Sequence, residues 1–199
     1  MHRRSLLVAS ALAPALLSPS RPALAQKPVV QGAGTSFLRT FYMRWGQEAA
    51  KETGFETNFE AASSDLGIAR ATQRLVDFGA CETPLSPGRL RERALVQFPS
   101  CFGAMMVAAT IPGVERDRLR LTPDTLADIF LGKITRWNSP RITALNPGVA
   151  LPAQDILVVH RSDGSGTTYV FSDYLTAVSP AWAKGPRRCK DLQWPVGLG

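Results

Sequence analysis

Two clusters of small, hydroxyl-bearing residues are the part of this sequence best suited to chemistry. The first is GAGTSF at 32–37, and the second is RSDGSGT at 161–167. Each follows a strand-like stretch and precedes a helix-like one, where the first N–H groups of a helix lack internal partners. A junction of this type can hold a tetrahedral oxyanion. Two such junctions facing one cleft predict an anion receptor, to which Arg161 adds a planar guanidinium.

The segments that must position these clusters alternate between short apolar runs and longer helix-like ones, which is typical of an α/β protein. In the helix predicted at 36–53, Phe37, Phe41 and Trp45 recur at four-residue spacing and are predicted to face the core. Further helices are predicted at 66–75, from 85, at 122–131 and at 166–175, and strands at 56–61, 76–80, 102–111 (with Phe98 before it) and 156–159.

Residues 1–25 predict a cleavable signal peptide. Arg3 and Arg4 precede an apolar run that is too short to remain as a membrane-spanning helix, and Ala23-Leu24-Ala25 fits the small-x-small rule for signal peptidase. The pattern fits both a twin-arginine and a general secretory signal, and a buried helix is the alternative. We therefore expect an exported, soluble chain that begins at Gln26.

The composition excludes some classes of function. The net charge is +7, and without the three arginines of residues 1–25 the chain has 20 basic against 16 acidic side chains, or +4. No basic stripe is interleaved with aromatic residues, so nucleic acid is not an expected partner. Three cysteines and two histidines show no metal-ligand spacing, so no metal or other cofactor is expected. One disulfide, such as Cys81–Cys101, is compatible with an oxidising compartment and would leave an odd thiol.

Seven stretches of the chain, in one order and with little gapping, give it a family resemblance. The sequence resembles the periplasmic phosphate-binding proteins of bacterial ABC transporters, the PstS family. The stretches are GAGTSF (32–37), ETG (52–54), VDFGACETPLS (76–86), QFPSCFGAMMVAATIPGV (97–114), TPDTLADIFLGKITRWNSPRITALNPG (122–148), LPAQDILVVHRSDGSGTTYVFSDYL (151–175) and WPVGLG (194–199).

The resemblance implies an α/β fold of the periplasmic-binding-protein type (type II), with two lobes. The first lobe would span 26–108, and the second would span 109–199 and be incomplete, since family members continue beyond the WPxGLG motif. It also implies a monomeric periplasmic receptor that binds inorganic phosphate without metal or cofactor and delivers it to the permease subunits of an ABC transporter.

The resemblance also implies a set of phosphate ligands. Phe37 would bind through its backbone N–H, Glu82 would supply the one carboxylate, and Asp163 would pair with Arg161 and hold its fork in place. The complete implied set is Ser36, Phe37, Ser64 and Glu82 from the first lobe, with Arg161, Ser165, Gly166 and Thr167 from the second.

The carboxylate in this set favours a protonated anion. Phosphate near neutral pH keeps at least one proton, which a carboxylate accepts in a hydrogen bond, whereas the same carboxylate repels fully deprotonated sulfate. The family has aspartate where this chain has Glu82, so the carboxylate reaches further into the cleft. Asp65 lies beside the anion in the second contact loop, where it would either weaken binding or cap a helix from outside.

Several alternatives remain open at this point. The chain could bind another oxyanion, such as arsenate or sulfate, or be a truncated remnant that binds none. An enzyme is disfavoured: the G-x-S-x-G elbow of serine hydrolases is absent, and a phosphatase would need metal ligands, an activated nucleophile or a histidine pair. His160 is expected to be structural, because its spacing from Ser165 does not favour an imidazole–hydroxyl pair.

Overall fold

The computed structural model describes residues 27–199 as a mixed α/β structure. A short 3-10 turn, Ser36–Leu38, follows the first strand. Within the described range the strands are β1 Val29–Thr35, β2 Glu56–Ala62 and β3 Phe78–Ala80, and the helices are α1 Arg39–Thr53, α2 Ser64–Thr72, α3 Pro87–Glu92, α4 Pro123–Phe130, α5 Pro140–Thr143, α6 Gly166–Val178 and α7 Pro180–Lys184.

The three strands form one parallel sheet with the order β2-β1-β3. Thr35 at the end of β1 lies opposite Ala62 of β2, and Gly34 lies opposite Ala80 of β3. Parallel neighbours need crossover connections, which α1 and α2 supply. The carboxyl ends of all three strands therefore meet at one edge of the sheet, where open α/β sheets bind ligands.

The apolar face predicted for α1 was wrong by one residue. Phe37, Phe41 and Trp45 are 48%, 47% and 44% exposed, whereas Gly46 is buried. Tyr42 and Gly46 belong to a neighbouring stripe that also repeats every four residues. Both stripes fit the helical period, so spacing alone did not show which one faces the sheet.

Tyr42 anchors α1 to the sheet through aromatic contacts. Its ring centroid lies 5.0 Å from that of Phe59 in β2 and 5.2 Å from that of Phe78 in β3. Such pairs contribute about 0.5–1.5 kcal/mol beyond the area that they bury. They fix the helix that directly follows the first cluster.

Gly67 allows α2 to approach the sheet closely, and we expect Gly67→Ala to destabilise the fold. A Cβ at this position would lie less than 3.0 Å from the carbonyl oxygens of Ala33 and Ala80, which are backbone atoms and cannot move aside easily. Overpacking of this kind costs about 1–3 kcal/mol in the free energy of unfolding, measurable by denaturant titration. Gly88→Ala in α3 is the control, because its Cβ would meet nothing within 4 Å; equal stability of the two variants would contradict the prediction.

The second half of the described chain is helical and packs around two apolar clusters. One joins Ile129 and Ile142 to Val158, and the other joins Leu175 and Trp182, which are both 0% exposed. These clusters fix α6, and with it the second hydroxyl-rich cluster, against α4 and α7. No helix within residues 27–199 has the length and apolar character to cross a membrane, and the predicted signal peptide lies outside the described residues.

The strands predicted at 102–111 and 156–159 do not form. Residues 95–111 have no regular secondary structure, and Phe98 and Phe102 are 77% and 95% exposed. In the second segment, Val159 makes an isolated parallel bridge with Leu198. An apolar run becomes a strand when a neighbouring strand satisfies its backbone, and the described residues provide none beside these two segments.

Candidate anion-binding site

Glu82 is held at the carboxyl edge of the sheet by two buried hydroxyls. The Thr35 hydroxyl donates to Glu82 Oε1 at 2.9 Å, and the Ser64 hydroxyl donates to Glu82 Oε2 at 2.5 Å. The Glu82 N–H in turn donates to Ser64 Oγ at 3.3 Å. Thr35 and Ser64 are 4% and 2% exposed. Thr35 ends β1, while Ser64 and Glu82 come just after β2 and β3, so the sheet itself brings the three residues together.

Local capping fixes the two segments that supply these hydroxyls. Thr35 Oγ1 also accepts from the Phe37 N–H at 3.2 Å, and Ser63 Oγ accepts from the Leu66 N–H at 3.2 Å as the N-cap of α2. Side-chain caps of this type stabilise a helix start by about 1 kcal/mol. Ser64 is therefore the first helical residue of α2, at its positive end.

The N-terminus of α6 supplies backbone donors. Ser165 is 2% exposed, and its hydroxyl caps the helix by accepting from the Thr168 N–H at 3.3 Å. The N–H groups of Gly166 and Thr167 lie in the first turn, where no carbonyl of the helix can accept from them. Thr167 is half-buried. These two N–H groups and the helix dipole make this end of α6 suited to an anion.

Gly166 brings the α6 N-terminus against Glu82. A Cβ at Gly166 would lie less than 3.0 Å from both Glu82 Oε2 and Ser64 Oγ. Any side chain larger than hydrogen would therefore displace the carboxylate or the hydroxyl. The second cluster thus faces the edge of the sheet, and the junctions of the two halves of the chain converge on one site.

Arg161 forms a bidentate pair with Asp163. Its Nε donates to Asp163 Oδ1 at 2.7 Å and its Nη2 donates to Oδ2 at 2.5 Å. The pair raises the pKa of Arg161, to which the charge of Glu82 also contributes, and it lowers the pKa of Asp163. Asp163 therefore stays ionised at mildly acidic pH, and the guanidinium plane stays oriented.

Asp65 is ion-paired with Lys190. Lys190 Nζ donates to Asp65 Oδ2 at 2.6 Å and to Asp191 Oδ2 at 2.6 Å. The Lys190 carbonyl also accepts from the Ser165 N–H at 3.1 Å. Lys190 therefore links α2 to the start of α6, and its one positive charge is shared between Asp65 and Asp191.

The sequence-predicted residues fall into two groups. The structure brings Ser64, Glu82 and Gly166 into contact at the N-terminus of α6, which also contains Ser165 and Thr167. Arg161 precedes this helix and is paired with Asp163. Ser36 and Phe37 are exposed, and in this structure the Phe37 N–H donates to Thr35 Oγ1.

Sequence reasoning missed Thr35 and Lys190. The first lies inside the GAGTSF cluster at a strand end, which is a recognisable signal. The second lies in a segment with no motif that could have indicated it.

The hydroxyl of Thr35 gives a direct test of how Glu82 is held. In Thr35→Val, Glu82 Oε1 loses its donor and the Phe37 N–H loses its acceptor, so we expect the free energy of unfolding to fall by about 1–3 kcal/mol. Chemical denaturation measures the change. Thr35→Ser keeps the hydroxyl and should retain most of the stability; a valine variant as stable as the serine variant would show that the contact contributes nothing.

His160 and Ser165 are engaged with different partners. The His160 ring stacks on Trp194, with centroids 4.9 Å apart and planes 14° apart, and its Nδ1 lies 3.0 Å from the Arg161 carbonyl. Ser165 Oγ accepts from the helix that it caps. The contacts of both side chains are those of structural residues, and they do not form the nucleophile–base pair of a serine hydrolase.

The cysteines and acidic residues form no metal centre in the described part of the chain. Residues 27–199 contain no cluster of three or more histidine, cysteine or acidic side chains with metal-site geometry. Cys81, Cys101 and Cys189 are all free thiols in this structure. Burial raises the pKa of the Cys81 thiol, which donates to the Thr83 carbonyl at 3.3 Å.

Comparison with known proteins assigns the chain to a superfamily. A PBP superfamily domain matches residues 18–194, and the chain belongs to this superfamily. Among curated proteins it is similar to phosphate-binding protein PstS of Haemophilus influenzae, with 39% identity over 175 residues that cover 88% of this chain and 52% of the relative. PstS of Xylella fastidiosa strain 9a5c is 41% identical over 170 residues, which cover 85% and 47%.

These relatives confirm the resemblance seen in the sequence, and they are longer than this chain. The match to PstS of Methanocaldococcus jannaschii is 34% identical over 188 residues and covers 89% of this chain and 48% of the relative. The chain therefore spans about half the length of the curated relatives that it matches.

A solved structure confirms the fold. A Clostridium perfringens chain, assigned as a phosphate ABC transporter substrate-binding protein and solved with bound phosphate, superposes with a TM-score of 0.55. The alignment covers 86% of this chain and 61% of the other, at 17% identity. At that identity the likeness establishes a shared α/β fold of the PBP type.

Proposed function

We propose that this chain binds inorganic phosphate at the site around Glu82 and delivers it to the permease of an ABC transporter. The observation that carries the proposal is a single carboxylate acceptor, fixed by Thr35 and Ser64 against the N-terminus of α6. Arg161, which precedes this helix along the chain, would complete the site. The names of the curated relatives and the bound phosphate of the structural neighbour support the same ligand.

The donors and the acceptor have complementary tasks. Arg161 gives Nε and one Nη2 proton to Asp163 and would offer phosphate its remaining Nη1 and Nη2 protons. The N–H groups of Gly166 and Thr167 add donors without a full charge. The buried hydroxyl of Ser165 caps α6 and fixes its first turn. Ser36 would close over the anion from the first lobe, together with the Phe37 N–H once it exchanges Thr35 Oγ1 for the anion. Three or four phosphate oxygens can thus be hydrogen-bonded while the anion is removed from water.

Glu82 would select the protonation state of the anion. A carboxylate has about four lone-pair positions, and Thr35 and Ser64 occupy one on each oxygen. A free position can accept the proton that phosphate keeps near neutral pH. Sulfate has no proton to donate and would face an unpaired negative charge, which costs binding free energy.

The two lobes would close on the ligand. We place the first lobe at 26–108 and the second at 109–199, with the phosphate between them. The ligand would shift the balance between open and closed forms by its higher affinity for the closed form. The receptor would act as a monomer in the periplasm, after export by a signal peptide at 1–25, and would need no cofactor.

Equilibrium dialysis of the purified full chain against labelled phosphate tests this proposal. We expect saturable binding of one phosphate per chain and no turnover of a chromogenic phosphate ester or carboxylic ester. Turnover of either ester would show that the protein is an enzyme and not a receptor. Equal competition by sulfate would make the protein a general oxyanion receptor, and a folded chain that retains no label would be a non-binding remnant.

A further inference from the structure

A cationic cavity adjoins the site around Glu82. Its volume is about 400 Å³, which lies within the range of about 300–1,000 Å³ typical of small-molecule sites. It opens between α2, α3 and the loop that carries Lys190. Its polar lining residues are Asp65, Thr83, Arg89, Arg93 and Lys190.

The two arginines of this cavity are not neutralised. Arg89 and Arg93 are four residues apart, so they lie on one side of the chain at α3. Neither has a carboxylate within ion-pair distance among residues 27–199, whereas Lys190 is paired with Asp65 and Asp191. The lining therefore has three cations against one carboxylate, and the positive charge of the two guanidinium groups remains available.

The wall of this cavity also includes Thr83. This residue is 9% exposed, and its buried Oγ1 has no hydrogen-bond partner among the described residues. A buried polar group in this state is destabilising until a partner satisfies it. Because Oγ1 is closed to solvent, Arg89 and Arg93 are the groups that an oxyanion in the cavity would contact, and the hydroxyl would have to turn toward the cavity to take part.

We propose that this cavity is a second anion site, which binds a multiply charged phosphate-bearing molecule such as pyrophosphate or a phosphate ester. Guanidinium groups bind phosphate oxygens in a bidentate manner. Two guanidinium groups that line one cavity therefore suit an anion that presents more than one pair of oxygens. The cavity shares two chain segments with the first site, since Asp65 follows Ser64 and Thr83 follows Glu82. It uses neither Arg161 nor the α6 N-terminus.

Titration calorimetry of the full chain with pyrophosphate tests this site separately from the first one. The protein is first saturated with inorganic phosphate, and Ser165→Asp, which blocks the first site, is titrated in parallel. The double variant Arg89→Gln/Arg93→Gln removes the two free cations. Its matched control is Arg91→Gln/Arg116→Gln, which removes the same charge from exposed positions outside the cavity.

We expect pyrophosphate to bind one-to-one to the phosphate-saturated chain and to Ser165→Asp. The cavity variant should bind it about tenfold or more weakly than the control variant does. Three results would each overturn the proposal: no pyrophosphate binding, loss of binding in Ser165→Asp, or equal weakening by the cavity and control variants. Failure of the first site would instead appear as absent phosphate binding with pyrophosphate binding retained.

Discussion

Ser165→Asp is expected to abolish phosphate binding while leaving the fold intact. Aspartate is as good an N-cap as serine, so α6 should still begin at Gly166 and the Thr168 N–H should keep its acceptor. The new carboxylate would, however, face the bound anion in a site where Ser165 is 2% exposed. A like charge in such a position costs several kcal/mol, which corresponds to a loss of affinity of about 100-fold or more.

Ser165→Asn is the matched control for this prediction. Asparagine caps a helix as well as aspartate does and has nearly the same size, but it is neutral. Calorimetric titration with phosphate should therefore separate the two variants, and thermal unfolding should show both to be folded. Equal phosphate affinity in the aspartate and asparagine variants would show that the α6 N-terminus is not part of the site.

Glu82→Gln is expected to weaken phosphate binding and to admit sulfate. The amide offers one acceptor oxygen in place of two, so Thr35 or Ser64 loses its present acceptor. The amide N–H groups of the glutamine can also donate to an anion that has no proton. Phosphate affinity should fall by about 10- to 100-fold, while sulfate affinity should rise because the opposing charge is gone.

The measurement is the ratio of phosphate to sulfate affinity, determined by calorimetry on the same samples. Glu82→Asp keeps the charge with one methylene fewer, and it should preserve the preference for phosphate even where absolute affinity changes. A phosphate-to-sulfate ratio that is unchanged in Glu82→Gln would show that another group selects the anion.

The sequence predicted the parts of this fold that are set by local patterns. Capping residues and glycine predict helix boundaries. Helix α4, for example, begins after Thr122 with a proline and ends before the glycine at 132. The four-residue stripe of α1 was misassigned, because Phe41 and Tyr42 both belong to a regular stripe and only the sheet decides between them. Burial against a sheet is a tertiary property that spacing does not specify.

The site shows the same division between local and long-range information. Glu82 and the hydroxyl-rich clusters have recognisable motifs, and the converging strand ends bring them together. The Lys190–Asp65 pair joins residues that are 125 positions apart, and no local pattern indicates it. The segment at 102–111 has strand-like composition, but a strand also needs a neighbour, which composition alone does not provide.

We propose that a single carboxylate, that of Glu82, makes this site a receptor for protonated phosphate. The deciding experiment is a calorimetric titration of the folded full chain near neutral pH, first with phosphate and then with sulfate. The proposed site predicts saturable one-to-one binding of phosphate and no heat from sulfate at the same concentration. A chain shown to be folded that gives no heat with phosphate, or that binds both anions equally, would contradict it.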